Sequence, residues 1–259
     1  MNKRGGGVNA TERFASNRSG ACAGPGAGVA AYVSINVGGT PRRFYLVPPA
    51  GGKKPIDLVV GFHGRGRSGE HVAKVWDLDP EGLRPYVALY PDGSNQPWFH
   101  NLFGWDTRSE SSSDLVFYDA LVDWAESQYC IDRTRIHVLG HSWGAGMANL
   151  VACARKGIRT LVSVGGGGPT FPCQSAVAAV IAHGVADEDE PISSGQLAVT
   201  AWSFYNRCGQ NSSPSPIDGC VAYTNCQRDT PLLWCEHPGG HGWPDILRGP
   251  KLIRWLQRP

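Results

Sequence analysis

The stretch RIHVLGHSWGAGMANLVACA (135–154) decides the fold. RIHVLG (135–140) is a short apolar run bounded by glycine, the pattern of a buried strand. SWGAGMANLVACA (142–154) has the small and apolar spacing of a helix. Between them stands Gly140-His141-Ser142-Trp143-Gly144, a G-x-S-x-G turn in the strand-to-helix context that this motif requires. Such a turn forces the serine into a strained conformation at the carboxyl edge of a sheet. Glycines on both sides let strand and helix approach closely, and the hydroxyl stands exposed at the helix N-terminus.

Outward from this turn the chain alternates strands with helices. RRFYLV (42–47), IDLVVGFH (56–63), YVALYP (86–91), TLVSVGG (160–166), AVIAH (179–183) and LLWCEH (232–237) read as strands. DLVFYDALVDWAESQYC (114–130) reads as a helix, with Leu115, Tyr118, Leu121, Val122, Ala125 and Tyr129 at three-to-four spacing and Asp114 at its start. Two more helices are expected over 194–207 and 244–257, the second interrupted at Gly249-Pro250. Alternation of this kind implies an α/β fold, a mostly parallel central sheet with helices on both faces. Residues 1–28, rich in Gly, Ser, Asn and Arg, are expected to be loosely ordered apart from an anchor at Cys22. Residues 29–259 read as one catalytic domain, with no linker or repeat dividing them. The irregular segment 92–113, containing PWFHNLFGW, is too long for a simple connection, and loops of that length are usually functional.

The composition narrows the function classes. The 259 residues carry 24 Lys+Arg against 22 Asp+Glu, a formal net charge of +2. A nucleic-acid binder would show a basic excess, and no apolar run reaches the ~18 residues of a membrane span. Eight cysteines form no C-x-x-C pair and stand at no zinc-finger spacing from histidine. Their even number reads as four disulfides in an oxidising compartment. Sequons at Asn9, Asn17 and Asn211 fit an extracellular protein. The opening MNKRGGGVNATERFASN has no apolar core of a signal peptide.

A serine hydroxyl needs a base and an acid that orients the base. In folds with this turn they follow in the order Ser, acid, His. Asp187 lies just past the strand AVIAH, 45 residues after Ser142 (187 − 142), with Asp189 its nearest competitor. His241 lies in the glycine-rich loop after LLWCEH, 54 residues after Asp187 (241 − 187), and is freer to reach the serine than the strand residue His237. His183 reads as an ordinary strand-end histidine. The oxyanion-hole donors are expected at the Trp143 N–H and, from Gly61-Phe62-His63-Gly64-Arg65-Gly66, at Arg65 or Gly64. That loop lacks both the G-x-x-x-x-G-K-[ST] and the G-x-G-x-x-G patterns of phosphate cradles. Arg65 and Arg67 are expected to flank the cleft or face solvent. Trp98, Phe99 and Trp105 are candidates for aromatic walls that bind substrate, with Trp105 equally suited to the core. Phe103 belongs to the same crowd, and Trp243 could reach the pocket from the other side.

GFHGRGRSG, LYPDG, GW with DLVFYDALVDWAESQYCID, GHSWGAGMANLVAC, HGVADEDEPISSG and LLWCEHPGGHGWP, in that order, resemble the secreted feruloyl esterases of carbohydrate esterase family one and the related polyhydroxybutyrate-depolymerase-type esterases. The resemblance spans roughly residues 20–257. It implies an α/β-hydrolase fold, Ser142 as nucleophile, Asp187 as acid, His241 as base, and no metal or organic cofactor. It implies a carboxylic ester hydrolase, secreted, whose partner is an ester substrate on polysaccharide or polyester, and expected to be a monomer. Acetylxylan esterase, acyltransferase and a carbohydrate-binding protein on the same scaffold are the other readings. One feruloyl-esterase subgroup ties serine and histidine together through adjacent cysteines; here those neighbours are His141 and Gly240, and Ala145 stands where many relatives have a second glycine. The resemblance also implies a Cys130–Cys153 disulfide. Cys208–Cys226, Cys220–Cys235 and Cys22–Cys173 complete one of the 105 pairings that eight cysteines allow.

Overall fold

The computed structural model describes residues 28–50, 55–78, 86–97 and 100–256. The expectations for 1–28, including the anchor at Cys22, lie almost wholly outside these residues, as do Trp98 and Phe99.

Twelve strands and five helices are assigned among the described residues: β1 Ala31–Val37, β2 Thr40–Val47, β3 Ile56–Phe62, α1 Gly69–Trp76, β4 Tyr86–Pro91, β5 Ser94–Gln96, β6 Leu102–Gly104, α2 Ser113–Gln128, β7 Ile131–His141, α3 Trp143–Ala154, β8 Ile158–Val164, β9 Ala178–Gly184, α4 Ile192–Tyr205, β10 Ser212–Pro214, β11 Cys220–Tyr223, β12 Leu232–His237 and α5 Pro250–Leu256. Ten strands form one sheet in the order β1-β2-β4-β3-β7-β8-β9-β12-β11-β10. The six central strands from β4 to β12 run parallel, and antiparallel strands close both edges. Strands buried on both faces need no polar alternation, and β3, β4 and β9 are accordingly buried along their whole length.

The period of two sorts these side chains between two cores. Leu58, Val60 and Phe62 pack with Leu115, Leu121, Met147 and Trp202 beneath α2, α3 and α4. Val59, Ala88 and Tyr90 pack with Val72, Trp76, Leu252 and Trp255 beneath α1 and α5. Each such aliphatic side chain contributes roughly 1.5–3 kcal/mol on burial. Helix α2 starts where Ser112 Oγ accepts the Leu115 N–H at 3.3 Å, and α1 starts where Ser68 Oγ accepts the His71 N–H at 3.2 Å. Helix α1 was not expected from the sequence, although its serine cap and its inward residues Val72 and Trp76 are the signal for it. Strand β1 was not expected either. It forms a hairpin with β2 through Gly38 (φ 57°) and Gly39 (φ 87°), the left-handed pair that a tight two-residue turn requires. The segment 92–113 is shorter on irregularity than its composition suggests, because it contains the small hairpin β5–β6.

The disulfides need two corrections. Cys153 pairs with Cys173, Cα atoms 4.0 Å apart, so neither Cys130–Cys153 nor Cys22–Cys173 forms. The reason is topological. β8 and β9 are adjacent parallel strands joined without a helix, and the returning segment passes the end of α3, where the Gln174 N–H donates to the Cys153 carbonyl at 3.0 Å. Cys130, just ahead of β7, is itself disulfide-bonded. Cys208–Cys226 and Cys220–Cys235 are paired as expected. No helix among the described residues is long and apolar enough to cross a membrane.

Candidate active site

Ser142 sits between β7 and α3 with φ 58° and ψ −124°, a strained conformation for a residue with a side chain. Its N–H donates to the Val164 carbonyl at 2.8 Å, which ties the turn to β8, and its own carbonyl accepts from Ala145 N–H at 2.9 Å. The flanking glycines are sterically required. A Cβ on Gly140 would stand 2.0 Å from the Gly144 oxygen, and one on Gly144 would stand 2.1 Å from the Phe62 oxygen.

The structure brings Ser142, His241 and Asp187 into one line. His241 Nε2 lies 2.7 Å from Ser142 Oγ, and His241 Nδ1 lies 2.7 Å from Asp187 Oδ2. A carboxylate only accepts, so Nδ1–H donates to Asp187 and Nε2 is left to accept from the serine hydroxyl. Asp187 Oδ1 accepts the N–H groups of Asp189 at 3.0 Å and Glu190 at 2.9 Å. Burial raises the pKa of this carboxyl, but the Glu190 N–H and the two neighbouring imidazoles outweigh it and hold the group below the usual carboxylate range. Asp189 is exposed and contacts Asp187 only through its backbone. His237 is the last residue of β12.

Two histidines that the sequence reading left without a role in the site stand beside the serine and the aspartate. His183 is fully buried beneath Asp187. Its Nε2–H donates to the Glu190 carbonyl at 2.9 Å and lies 3.3 Å from Asp187 Oδ2. Gly195 leaves room for the ring, since a Cβ there would stand 2.6 Å from His183 Nδ1. His141, beside the nucleophile, packs against His241 with ring centroids 4.9 Å apart. Burial and the adjacent His241 lower its pKa to about 4. The position of His183 at a strand end was the available signal; its contact with a residue four positions on depends on the turn between them.

The loop after β3 is built around a third buried histidine. His63 Nδ1–H donates to the Gly64 carbonyl at 2.7 Å, and His63 Nε2 accepts the Gly93 N–H at 2.8 Å. Both ring nitrogens are used by a neutral imidazole, and burial holds its pKa down to about 4. Phe103 stacks on the same ring, centroids 5.7 Å apart, and Gly66 N–H donates to the Phe103 carbonyl at 2.8 Å. The hairpin β5–β6 thus braces the loop. Gly64 faces the nucleophile, as a Cβ on it would lie 3.2 Å from Ser142 Cβ. Arg65 and Trp143 line the same cleft.

Two hollows open on either side of Ser142. One, of about 330 Å³, is lined by Trp143, Gly146, Gly165, Gly166, Gly167 and Glu190. The other, of about 310 Å³, runs between α1 and the His241 loop. Trp243 lines the second but is buried and stacked on Trp76, centroids 4.2 Å apart, with its Nε1–H donated to the Leu247 carbonyl. Trp105 is not a cleft wall. It is 0% exposed, packs edge-on against Phe62, and donates its Nε1–H to the His63 carbonyl at 2.8 Å. A buried indole needs a partner for its N–H, and this one finds it in the core. Trp143, whose ring lies over Gly104, is the described aromatic residue that does line the hollow.

No protein-family model matches the chain. Among curated proteins it is similar to a feruloyl esterase C of Emericella nidulans, 26% identical over 77% of this chain and 76% of that protein. A probable feruloyl esterase C of Aspergillus oryzae is 28% identical over 73% of this chain and 71% of its own length. A feruloyl esterase D of Neurospora crassa is 25% identical, over 81% and 77% respectively. Among solved structures, the acetyl xylan esterase from Aspergillus awamori superposes with a TM-score of 0.65 at 14% identity, covering 87% of this chain and 98% of that one. A Bacillus cereus carboxylesterase superposes with a TM-score of 0.57 at 12% identity, covering 88% and 93%. The chain has the α/β-hydrolase fold.

Proposed function

We propose that this protein is a secreted serine esterase that hydrolyses carboxylic esters through an acyl-enzyme, releasing ferulate or a related hydroxycinnamate from plant cell-wall polysaccharide. The observation that carries the chemistry is the pair of 2.7 Å contacts from Ser142 through His241 to Asp187. Ser142 Oγ attacks the ester carbonyl while His241 Nε2 takes its proton. Asp187, kept ionised, holds the imidazole in the tautomer that can do this and stabilises the imidazolium that forms. The oxyanion is received by the N–H of Trp143 and by an N–H from Gly64 or Arg65. Collapse expels the alcohol with the proton from His241, and water repeats the cycle on the acyl-enzyme.

The acyl specificity is supported by the curated relatives, which are named feruloyl esterases. The hollow under Trp143, at about 330 Å³, has room for an aromatic acyl group. Three disulfides among the described residues support an oxidising, extracellular setting.

The test is a panel of esters assayed with the wild type and with Ser142→Ala. Turnover of a p-nitrophenyl ester should fall at least about 10⁴-fold in the variant, with the fold unchanged by circular dichroism. Retained turnover would remove Ser142 as the nucleophile. Methyl ferulate should show a much higher kcat/KM than aliphatic esters of equal size. Equal rates on short aliphatic esters, with activity on polyhydroxybutyrate films, would move the substrate from polysaccharide to polyester.

A further inference from the structure

We infer that Arg65 and Arg67 form a carboxylate-binding subsite beside the nucleophile, so that the esterase proposed above prefers esters whose polymer carries an acid group near the scissile bond. The hollow between α1 and the His241 loop, about 310 Å³, opens directly from Ser142 and His241. Arg65, Arg67 and His71 line it, with Asp189 as its one acid.

Several other guanidinium groups among the described residues are spent on the protein's own carboxylates. Arg42 meets Asp114, Arg43 meets Asp92, Arg135 meets Asp57 and Arg155 meets Asp119, each within 2.9 Å. Among the described residues, Arg65 and Arg67 meet no carboxylate. Asp189 shares the hollow with them and forms no ion pair with either. Two unpaired guanidiniums on the wall of a hollow that reaches the nucleophile offer ten N–H donors in planar forks, the geometry that matches a carboxylate.

The loop that presents them is not free to swing away. It is held by His63 and by the Gly66 N–H bond to Phe103, so the two side chains project from a braced backbone. The hollow on the other side of Ser142 has the opposite character, since Asp189 and Glu190 face it against Arg65 alone. An ester with one anionic arm is therefore oriented: the charged arm fits the hollow beside α1 and the neutral arm the one beneath Trp143. The shared chemistry is a carboxylate, supplied either by a uronic acid in a polysaccharide or by the free end of a polyester chain.

The experiment measures kcat/KM for two pairs of esters that differ only in that group. One pair is the feruloyl ester of a uronic-acid disaccharide and of its primary amide. The other is a 3-hydroxybutyrate dimer with a free carboxylate and its primary amide. At low ionic strength one acid form should be favoured by about fivefold, the upper end for a solvent-facing charge pair, and 0.5 M salt should erase most of that. Whichever pair shows it identifies the source of the carboxylate. Arg67→Glu should invert the ratio, while Arg228→Gln, remote and paired with Asp229, should leave it. Acid and amide forms turned over equally in both pairs, or a ratio that Arg67→Glu does not move, would overturn the subsite and leave the esterase reading standing. Turnover of none of the four esters would remove both.

Discussion

The turn that carries Ser142 and the loop that carries His241 meet at 2.7 Å, yet they are held there by different means. The serine turn is fixed by backbone against backbone. Gly140 lies on Gly144, Gly144 lies on Phe62, and α3 starts at once behind them. The histidine loop is tied to the end of a neighbouring strand, where a Cβ on Gly184 of β9 would stand 2.3 Å from the Gly239 oxygen. Its stem is β12, and beyond the strand it is held where Val185 N–H donates to the His237 carbonyl at 2.8 Å and Ala186 N–H donates to the Gly239 carbonyl at 3.2 Å. The first arrangement is centred on one tight turn and rigid by exclusion. The second depends on β9, β11 and β12 arriving together, so its precision is inherited from the sheet.

Glycine substitutions expose that contrast most strongly. Gly144→Ala places a methyl 2.1 Å from the Phe62 oxygen, which no side-chain rotation relieves. A loss of more than about 3 kcal/mol is expected, beyond the usual range for a single change, read as a collapse of the urea midpoint. Gly242→Ala, next to His241, meets nothing within 4 Å and should stay within about 0.5 kcal/mol of wild type. Equal losses would mean that the two regions are braced alike.

Removing disulfides separates the two supports at a smaller cost. Cys220–Cys235 and Cys153–Cys173 close separations of 15 and 20 residues, each worth about 3 kcal/mol in the chain-entropy model. Both double serine variants should therefore lower Tm by similar amounts. Only Cys220→Ser with Cys235→Ser should also lower kcat well below its Tm, because Cys235 lies on the stem of the histidine loop two residues before His237. Cys153 and Cys173 lie at the far end of α3, away from Ser142. Equal effects on kcat would break the distinction.

The mildest effect is one of pH. His63 has its pKa lowered to about 4 by burial, against about 6.5 in the unfolded chain. The unfolded state then binds more protons than the folded one between those values, so stability falls as pH drops through 6.5 and the loss is complete near 4. Between pH 7.5 and 5.5 the cost is about 1 kcal/mol from this residue. Half-buried His141 acts in the same direction. His63→Gln should be less stable at pH 7.5 but should flatten the acid slope of the urea midpoint. An unchanged slope would show that protonation of His63 is not coupled to folding.

What could be read from the sequence follows the same division. The serine turn, the six parallel strands and helices α2, α3 and α4 are local patterns, because buried strands are apolar runs and helices repeat every three to four residues. Strand β1 escaped because it is an edge strand, its exposed positions Tyr32, Ser34 and Asn36 interrupting an inward row of Val33, Ile35 and Val37. Trp105 could not be assigned to core or cleft from composition, since the deciding fact is the His63 carbonyl that its N–H reaches. The two pairings that do not form, Cys130–Cys153 and Cys22–Cys173, were misread for a similar reason. Cys130, Cys153 and Cys173 all lie toward the amino edge of the parallel strands, and only the path of residues 165–177 between β8 and β9 determines which of them meet. The order Ser, Asp, His was legible, but His183 beneath Asp187 was not, because it acts through a turn whose shape is not written in residue types.

The return from β8 toward β9 passes Ser142 as Gly165-Gly166-Gly167, and this run lines the hollow beside Trp143 with main chain alone. A lining without side chains is already at its deepest. Gly166 admits no methyl, since a Cβ there would stand 2.6 Å from that of Ala145, while Gly167 has open space around it. A side chain at Gly167 would therefore make this hollow shallower without disturbing the serine turn. On this side of the hollow one substitution suffices to lose depth, whereas gaining it requires the backbone itself to move.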